Sequence, residues 1–409
     1  MGNRAKREYL DAICERYRHA SKKQKQIMLD EFCHVCAYNR KYAIRLLRQR
    51  LSYLSRSRAE QEQSNGRRPG RPKQYDDPAI VEFLTVLWRA MNLACSKRIK
   101  AAIPYWLPSY DRPLRGRTLD LLMDISAATI DRLLRPLRSR YSKLGLATTK
   151  PGSLLKKHIP INTNQWDEHQ PGYLEADTVA HCGSSMAGMF VFTLNCTDIA
   201  TGWTEHRATW GKGEQGVLRA IQSIEEALPF PLLGFDCDNG SEFLNWPLLK
   251  YFADRKRPVQ YTRSREYYKN DNAHVEEKNW THVRQYLGYQ RFEDERMVAL
   301  MNDLYRSEWR LLMNFFLPQV KLVAKERIGS KTVKKHDKPQ TPLQRLLASP
   351  NIPEQIKGRL RQQLSILNPF SLHRQVSLKI KRILRLATPP VAGQPSAMAK
   401  VKNKSYHKA

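Results

Sequence analysis

The spacing of hydrophobic positions changes along the chain, and these changes divide it into segments. Apolar residues recur at helical spacing over residues 1–52 and again over 78–148, which predicts two all-helical regions. Between residues 166 and 291, short apolar runs are bounded by turn residues, which predicts strands alternating with helices. Helical spacing returns over residues 292–376, so a further helical region is expected there.

The segment from 166 to 291 carries the pattern of an α/β domain. Its predicted order is three strands, a helix, two more strands and a final helix. The strands are expected at 173–178, 189–196, 203–208, 232–240 and 258–262, and the helices at 215–228 and from about 272 to 286. A mixed five-stranded sheet with helices, preceded by all-α regions, is therefore the expected fold class.

Three segments lack periodicity and are predicted to be linkers or a tail. Residues 53–77 are rich in Ser, Arg, Gln, Gly and Pro, 149–165 carry Lys and Pro, and 377–409 are rich in Lys and Arg. The first of them contains Gly-Arg-Arg-Pro-Gly-Arg-Pro-Lys, which is similar to an AT-hook that places arginines in a narrow minor groove. Arg71 is therefore a candidate DNA contact, although a basic linker passing over phosphates is an equal alternative. The tail from Ser377 onward is expected to be disordered until it meets nucleic acid.

The overall charge indicates the class of partner. The chain has 70 Lys and Arg against 39 Asp and Glu, a formal net charge of +31, which exceeds what solubility requires and favours a polyanion. The sequence has no apolar run of about 18 residues, so a membrane partner is not indicated. Double-stranded DNA is the expected partner, and a cytoplasmic, nucleoid-associated location follows from it.

Both N-terminal helical regions end in a short basic helix. In the first, Arg40 and Lys41 open the third predicted helix and Arg45 follows one turn later. In the second, the small residues of Ser-Ala-Ala precede a helix that carries Thr129 and Arg132. Both arrangements resemble helix-turn-helix units, which place such residues against a DNA groove and its phosphates. A solvated basic helix in a small bundle is the alternative.

Three acidic residues of the α/β segment are candidates for catalysis. Asp177 lies on the first predicted strand, Asp238 ends the fourth at a turn, and Glu276 lies on the last helix. A buried carboxylate is costly unless a cation neutralises it, and oxygen ligands favour Mg²⁺ or Mn²⁺. Three such acids could hold two metal ions about 3.5–4 Å apart, the separation used for phosphodiester chemistry. The alternative is that the aspartates only stabilise turns.

The sequence around these acids adds a family resemblance. The three blocks are Ala176-Asp177-Thr178, Asp238-Asn239-Gly240-Ser241-Glu242-Phe243 and Asn272-x-x-Val275-Glu276-x-x-Asn279. In order, spacing and local sequence they resemble the Asp-Asp-Glu transposase and retroviral-type integrase family, over about residues 166–291. The resemblance implies an RNase H-like catalytic core whose metal ligands are Asp177, Asp238 and Glu276. Glu277 remains the alternative third acid.

The resemblance also implies a function. A bacterial insertion-sequence transposase would cut strands at the ends of its element and join them to target DNA, with two Mg²⁺ or Mn²⁺ ions as cofactors. Its partners would be the terminal repeats, the target DNA and further copies of the chain. Arg265, Lys269 and Lys278, which surround the third acid, are expected to hold DNA phosphates. A catalytically silent DNA-binding regulator derived from a transposase and an RNase H-like nuclease are the alternatives.

Overall fold

The structure used here is a computed structural model. It describes residues 1–54, 74–139, 168–237, 240, 242–263, 273–328 and 331–387. The chain divides into two compact units, Met1–Gln74 and Tyr75–Ala409. The first contains the predicted N-terminal helices, and the second contains all the other described elements.

Three helices make up residues 1–54, the part of the first unit that precedes the undescribed linker. They are α1 (Asn3–His19), α2 (Lys22–Cys36) and α3 (Arg40–Leu54). Ser21 begins α2 as an N-cap in a capping box with Gln24, and Ala37 ends it in the left-handed conformation. The apolar faces of the three helices meet around the fully buried ring of Phe32. The sequence prediction of three helices is confirmed for this region.

Four more helices open the second unit. They are α4 (Pro78–Ala90), α5 (Ser96–Trp106), α6 (Gly116–Asp124) and α7 (Ala127–Arg138). Trp106 at the end of α5 donates a hydrogen bond from Nε1 to the carbonyl of Phe316 at 3.0 Å. Its ring also packs edge-on against Phe370, 4.9 Å between centroids. These helices therefore share one hydrophobic core with the rest of the unit.

A mixed five-stranded sheet lies at the centre of the second unit. Its strands are β1 (Tyr173–Ala180), β2 (Val191–Asp198), β3 (Thr204–Trp210), β4 (Gly234–Cys237) and β5 (Gln260–Arg263). The spatial order is β3-β2-β1-β4-β5, with β1 antiparallel to β2 and parallel to β4. Strands β3, β2 and β1 are antiparallel neighbours, and β4 and β5 run parallel to β1. This is the RNase H-like arrangement, so the predicted fold class is confirmed.

Helices connect and cover the later strands. Helix α8 (Glu214–Ala227) joins β3 to β4, and α9 (Trp246–Ala253) joins β4 to β5. After β5, α10 (Ala273–Lys278) continues as a π-helix (Asn279–Arg284) and a last turn (Gln285–Leu287). We call this continuous stretch the Glu276 helix. Its extent confirms the helix predicted to run to about residue 286, and π-helical turns of this kind occur frequently at functional sites.

The C-terminal part differs from the sequence prediction in two places. It contains α11 (Arg296–Leu304), two π-helical turns (Tyr305–Trp309 and Leu312–Phe316), a hairpin of β6 (Leu322–Ile328) and β7 (Lys331–His336), and α12 (Pro342–Ala348), α13 (Glu354–Ile366) and α14 (Pro369–Leu386). The first difference is the hairpin, which interrupts the helical region predicted over residues 292–376. The helical turns before it end at Phe316, and Leu317 is extended because the following Pro318 disfavours a helical conformation there.

The second difference concerns the basic tail. Its predicted first residues, from Ser377 to Leu386, form the second half of α14. One face of this half carries Ile380 and Ile383, both buried in the common core, while the basic residues occupy the other faces. Burial of this apolar stripe stabilises the helix despite its charge. The remainder of the predicted tail, 388–409, lies outside the described residues.

A buried histidine on β3 should make the stability of the folded protein depend on pH. His206 on β3 lies among the rings of His282, Tyr305 and Trp309, with centroids 5.3–6.2 Å away. Neither ring nitrogen of His206 has a hydrogen-bond partner among the described residues. Burial, with Arg207 and Lys278 nearby, lowers the pKa of His206 to about 3. The folded protein therefore holds this ring neutral.

We expect His206→Phe to reduce the loss of stability in acid. The folded-state pKa lies below that of the unfolded chain, so stability is complete above the unfolded value, about 6.5, and is lost as pH falls toward 3. One such group contributes a slope of up to about 1.4 kcal/mol per pH unit. Denaturant unfolding between pH 7 and 4 should show a shallower slope for His206→Phe than for wild type. The exposed His169→Phe serves as the control, and an unchanged slope in His206→Phe would contradict the expectation.

Candidate active site on the central strand

Asp177 is held on the central strand by a relay of two asparagines. Its Oδ2 accepts a hydrogen bond from Nδ2 of Asn279 at 2.6 Å, and its Oδ1 accepts one from the backbone N–H of Thr178 at 2.7 Å. Oδ1 of Asn279 accepts in turn from Nδ2 of Asn195 at 2.9 Å. Asn195 lies opposite Asp177 on β2. The relay thus joins the Glu276 helix to two strands and orients the Asp177 carboxylate.

Glu276 and Glu277 face different surroundings. Glu276 lies one turn before Asn279 and therefore on the same side of the helix, and its charge contributes to raising the pKa of Glu175 on β1. Glu277 instead lies beside Lys278, with 3.7 Å between Oε1 and Nζ, and lines a separate cavity. The face that carries Glu276 is thus the one directed at the central strand.

Glu175 anchors the start of the Glu276 helix. Its Oε2 accepts hydrogen bonds from the backbone N–H groups of His274 and Val275, both at 3.0 Å. Such N–H groups have no partner within a helix, so a side-chain acceptor fixes where the helix begins. Burial, together with the nearby charges of Asp236 and Glu276, raises the pKa of Glu175 to about 8, against the two backbone hydrogen bonds.

The neighbouring strand contributes a further acid. Asp236 on β4 is the register partner of Glu175, and its Oδ1 accepts a hydrogen bond from Oγ1 of Thr262 at 2.6 Å. Cys237, the last residue of β4, pairs with Ala176, the residue before Asp177. Asp238 follows Cys237 in sequence and lies outside the described residues.

The carboxylate side chains at this site are of the kind that binds a divalent metal ion. Among the described residues, which do not include Asp238, no three His, Cys, Asp or Glu side chains are grouped to hold a metal ion. Carboxylate oxygens such as those of Asp177 and Glu276 are the ligands that Mg²⁺ and Mn²⁺ prefer. Burial, and after it the charges of Asp236 and Glu276, raises the pKa of Glu175, and a bound cation would offset the charge of these neighbouring acids.

The sequence prediction missed three supporting acids. Glu175 and Asp236 each stand two positions before a predicted ligand, and alternate residues of a strand point to the same face of a sheet. This period-two spacing was the signal that could have revealed them. Glu242 is also buried: its Oε1 accepts from Oγ1 of Thr178 at 3.1 Å and pairs with Lys212. It ties the segment after β4 to the central strand.

Comparison with known proteins places the chain in a family. No family model matches the chain. It is 38% identical over 351 residues to "Uncharacterized protein y4rM" of Sinorhizobium fredii (strain NBRC 101917 / NGR234), a match that covers 83% of this chain and 94% of the relative. The chain belongs to the y4rM family.

Solved structures with similarity to this y4rM-family chain include retroviral integrases. One is the catalytic core domain of BIV integrase, at 16% identity, with 44% of this chain and 95% of that chain covered and a TM-score of 0.27. Another is a chain of the simian T-cell lymphotropic virus intasome in complex with PP2A regulatory subunit B56 gamma, at 12% identity, with 49% and 65% covered and a TM-score of 0.28. Because both TM-scores lie below 0.5, the fold is assigned from strand order and register.

The predicted DNA-binding residues have different environments. In the first unit Arg40, Lys41 and Arg45 are exposed; Arg40 pairs with Asp30, and the guanidinium of Arg45 lies 5.0 Å from the ring centroid of Tyr42. The predicted DNA contacts outside the described residues are Arg71, Arg265 and Lys269.

No described helix has the length and apolar character needed to cross a membrane.

Two of the predicted contacts are less accessible than expected. The buried hydroxyl of Thr129 accepts a hydrogen bond from Arg132 at 2.9 Å, and its backbone N–H donates to the cap residue Ser126. Arg132 itself is exposed. Lys278 is only 4% exposed, and burial lowers its pKa to about 8. Its position in a cavity differs from the surface phosphate contact that the sequence predicted.

We expect Asn279→Ala to weaken metal binding at the candidate site without unfolding the protein. The substitution removes the donor to Asp177, and loss of a residue that orients a metal ligand typically costs 10–100-fold in metal affinity or activity. The readout is the Kd for Mn²⁺ measured by calorimetry. Thr281→Ala, on the same helix and bonded to the carbonyl of Glu277, is the control. Equal Mn²⁺ affinity in Asn279→Ala and wild type would show that the relay does not position a ligand.

Proposed function

We propose that the protein is a DNA transposase of the Asp-Asp-Glu type. It would cut strands at the ends of a mobile element and join them to target DNA. The observation that carries the proposal is the hydrogen bond from Asn279 to Asp177, because it directs the helix face of Glu276 toward the central strand. An RNase H-like sheet with acids on its central strand and on this helix suits phosphodiester chemistry.

The proposed metal ligands are Asp177, Asp238 and Glu276, and the proposed cofactors are two Mg²⁺ or Mn²⁺ ions. When bound, such ions stabilise the attacking and leaving oxygens of a phosphodiester. The chain itself has to present its carboxylates in fixed orientations, and the asparagine relay does so for Asp177. The hydrogen bonds from the helix start to Glu175 hold Glu276 in place relative to β1.

The surroundings of the two glutamates support Glu276 as the third acid. Asn279, which bonds to Asp177, shares a helix face with Glu276. Glu277 is oriented toward Lys278. Assigning the role to Glu276 therefore requires no rotation of the helix.

The proposed DNA contacts lie in both units. In the first, Arg40, Lys41 and Arg45 are exposed on α3, and in the second Arg132 is exposed on α7. Basic helices of this kind bind DNA phosphates and groove edges, and the net charge of +31 favours DNA over other partners. The proposed substrates are the terminal repeats and target DNA. Since two element ends must be processed together, the active form is proposed to be a homo-oligomer.

A strand-joining assay tests the proposal. The purified full chain is incubated with a labelled duplex made from the DNA that flanks its gene, with a target plasmid and Mg²⁺ or Mn²⁺. The expected products are nicked duplex and labelled plasmid, both absent when the metal is chelated. Binding of the duplex with neither product in either metal would overturn the proposal and identify a DNA-binding regulator. Cleavage of branched or hybrid substrates without joining would identify a nuclease.

A further inference from the structure

A second site lies on the side of the Glu276 helix that faces away from Asp177. It is a cavity of about 200 Å³ between the helix, the turn after β2 and the residues that lead into the β6–β7 hairpin. The residues that line it and enter the argument are Gly202, Glu277, Lys278, Gln319, Lys321 and His336. The function proposed above does not use this cavity.

Two lysines, Lys278 and Lys321, line the cavity. Lys278 is 4% exposed, and its nearest acidic partner among the described residues is Glu277, 3.7 Å away and half exposed. Lys321 donates from Nζ to the carbonyls of Ile199 and Ala200 at 2.7 and 2.8 Å. Carbonyls do not neutralise its charge. Removing ammonium groups from water is costly unless an anion accompanies them, so the cavity is electrostatically prepared for one.

Two further cations, Arg98 and Arg345, lie near Lys278. Arg98 donates from Nε to the carbonyl of Pro318 at 2.6 Å. Arg345 donates to the carbonyl of Gln319 and is paired with Asp337 at 2.8 Å. The acid closest to Arg345 is therefore already engaged. Lys321 has the acids Asp198 and Asp337 nearby, whereas the ion-pair partner of the buried Lys278 among the described residues is the half-exposed Glu277.

Gln319 adds an independent sign of a missing ligand. Its side chain is 5% exposed, and Nε2 has no hydrogen-bond partner among the described residues. A buried amide donor left without a partner is costly, so native proteins normally provide one. The backbone of Gln319 is fixed by paired hydrogen bonds with Gln340 at 2.8 and 3.0 Å. The orphan donor is thus held on a rigid wall of the cavity.

We propose that this cavity binds a single phosphate group. Lys278, Lys321 and Nε2 of Gln319 would donate to its oxygens. A phosphate carries enough negative charge for two ammonium groups and accepts several hydrogen bonds, and lysine binds it as a point charge. The group could be inorganic phosphate or the terminal phosphate of a nucleic-acid strand, which share this chemistry. Binding would separate Glu277 from Lys278, because both anions compete for one ammonium.

Calorimetric titration of the full chain with inorganic phosphate tests the proposal, with chloride at equal ionic strength as the reference anion. We expect binding in wild type, a loss of at least about 10-fold for Lys278→Met, and about 5-fold for Gln319→Leu, since one hydrogen bond contributes about 1 kcal/mol. Lys250→Met changes the same charge at an exposed position on α9 and should bind as wild type does. Glu277→Gln removes the competing carboxylate and should bind phosphate more tightly.

Two results would overturn the proposal: no phosphate binding above that of chloride in wild type, or the same affinity in Lys278→Met as in wild type. Replacing a buried charge by an apolar side chain is often neutral or stabilising, so Lys278→Met is expected to fold. Should it not fold, Gln319→Leu decides alone. Because inorganic phosphate is the probe, the outcome does not depend on whether the protein joins DNA strands.

A competition experiment distinguishes the two sources of phosphate. Oligonucleotides of one sequence, with and without a 5′-phosphate, are used to displace inorganic phosphate. Displacement at least 10-fold stronger by the phosphorylated strand, lost in Lys278→Met, assigns the site to strand ends. Equal displacement by the two strands assigns the site to free phosphate. Displacement that favours the phosphorylated strand equally in wild type and Lys278→Met would contradict the placement of phosphate beside Lys278.

Discussion

Asp177→Asn and Glu276→Gln are each expected to lower strand joining by at least about 1,000-fold. Metal ions contribute several kcal/mol to transition-state stabilisation, and each 1.4 kcal/mol corresponds to a factor of ten in rate. Both substitutions keep the shape of the side chain but replace one acceptor oxygen by an amide donor and remove the charge that would hold the metal ions. DNA binding should persist in both variants, because the proposed DNA contacts are basic residues of the helical regions.

Two further variants sharpen this prediction. Glu277→Gln should lose far less joining activity than Glu276→Gln, because Glu277 lies beside Lys278 and not toward Asp177. Glu295→Gln, an exposed acid before α11, is the matched control for the change of charge. A larger loss in Glu277→Gln than in Glu276→Gln would reverse the assignment of the third acid.

Arg310→Ala is expected to destabilise the second unit by about 3–5 kcal/mol, as is typical when one partner of a buried ion pair is removed. Arg310 binds both oxygens of the fully buried Glu205, with Nε and Nη2 at 2.8–3.2 Å. Trp203 also donates to Glu205 at 3.0 Å, and Arg207 lies 3.6 Å away. Without Arg310, the buried negative charge of Glu205 is balanced, among the described residues, only by the hydrogen bond from Trp203 and the nearby guanidinium of Arg207.

Chemical denaturation measures this effect. Arg361→Ala removes an arginine from a pair with Glu354 that is exposed on both sides, and should cost less than about 1 kcal/mol. The double variant Arg310→Ala with Glu205→Gln should recover part of the lost stability, because the neutral amide no longer needs a cation. Equal costs for Arg310→Ala and Arg361→Ala would show that the buried pair is not stabilising.

The sequence predicted the five strands of the α/β segment and two of its helices because their signals are local, but it missed α9 (Trp246–Ala253) between β4 and β5. Alternating or continuous apolar runs bounded by glycine and proline marked all five strands, and the helical stripe of α8 was visible in Val217, Ile221 and Ile224. The choice of Asp177 and Glu276 also came from local sequence. In the structure, Asn279 connects the elements that carry them.

Features set by tertiary contacts were missed. Hairpin β6–β7 is polar on much of its length and carries no apolar alternation that would distinguish it from a loop. Glu175 looked like an ordinary strand residue, because its role depends on the N–H groups of a helix almost 100 positions later. The packing of α5 onto the core around the sheet likewise depends on the contact between Trp106 and Phe316. Contacts over such distances leave no periodic signal.

Metal binding at the central strand is the property on which the proposed function depends most directly, and it can be measured without knowing the DNA sequence. Mn²⁺ is titrated calorimetrically into wild type, Asp177→Asn and the exposed control Asp120→Asn. We expect wild type and Asp120→Asn to bind Mn²⁺ alike and Asp177→Asn to lose at least 10-fold in affinity, since it lacks one ligand charge. The same Mn²⁺ affinity in Asp177→Asn as in wild type would contradict a metal-dependent active site at Asp177.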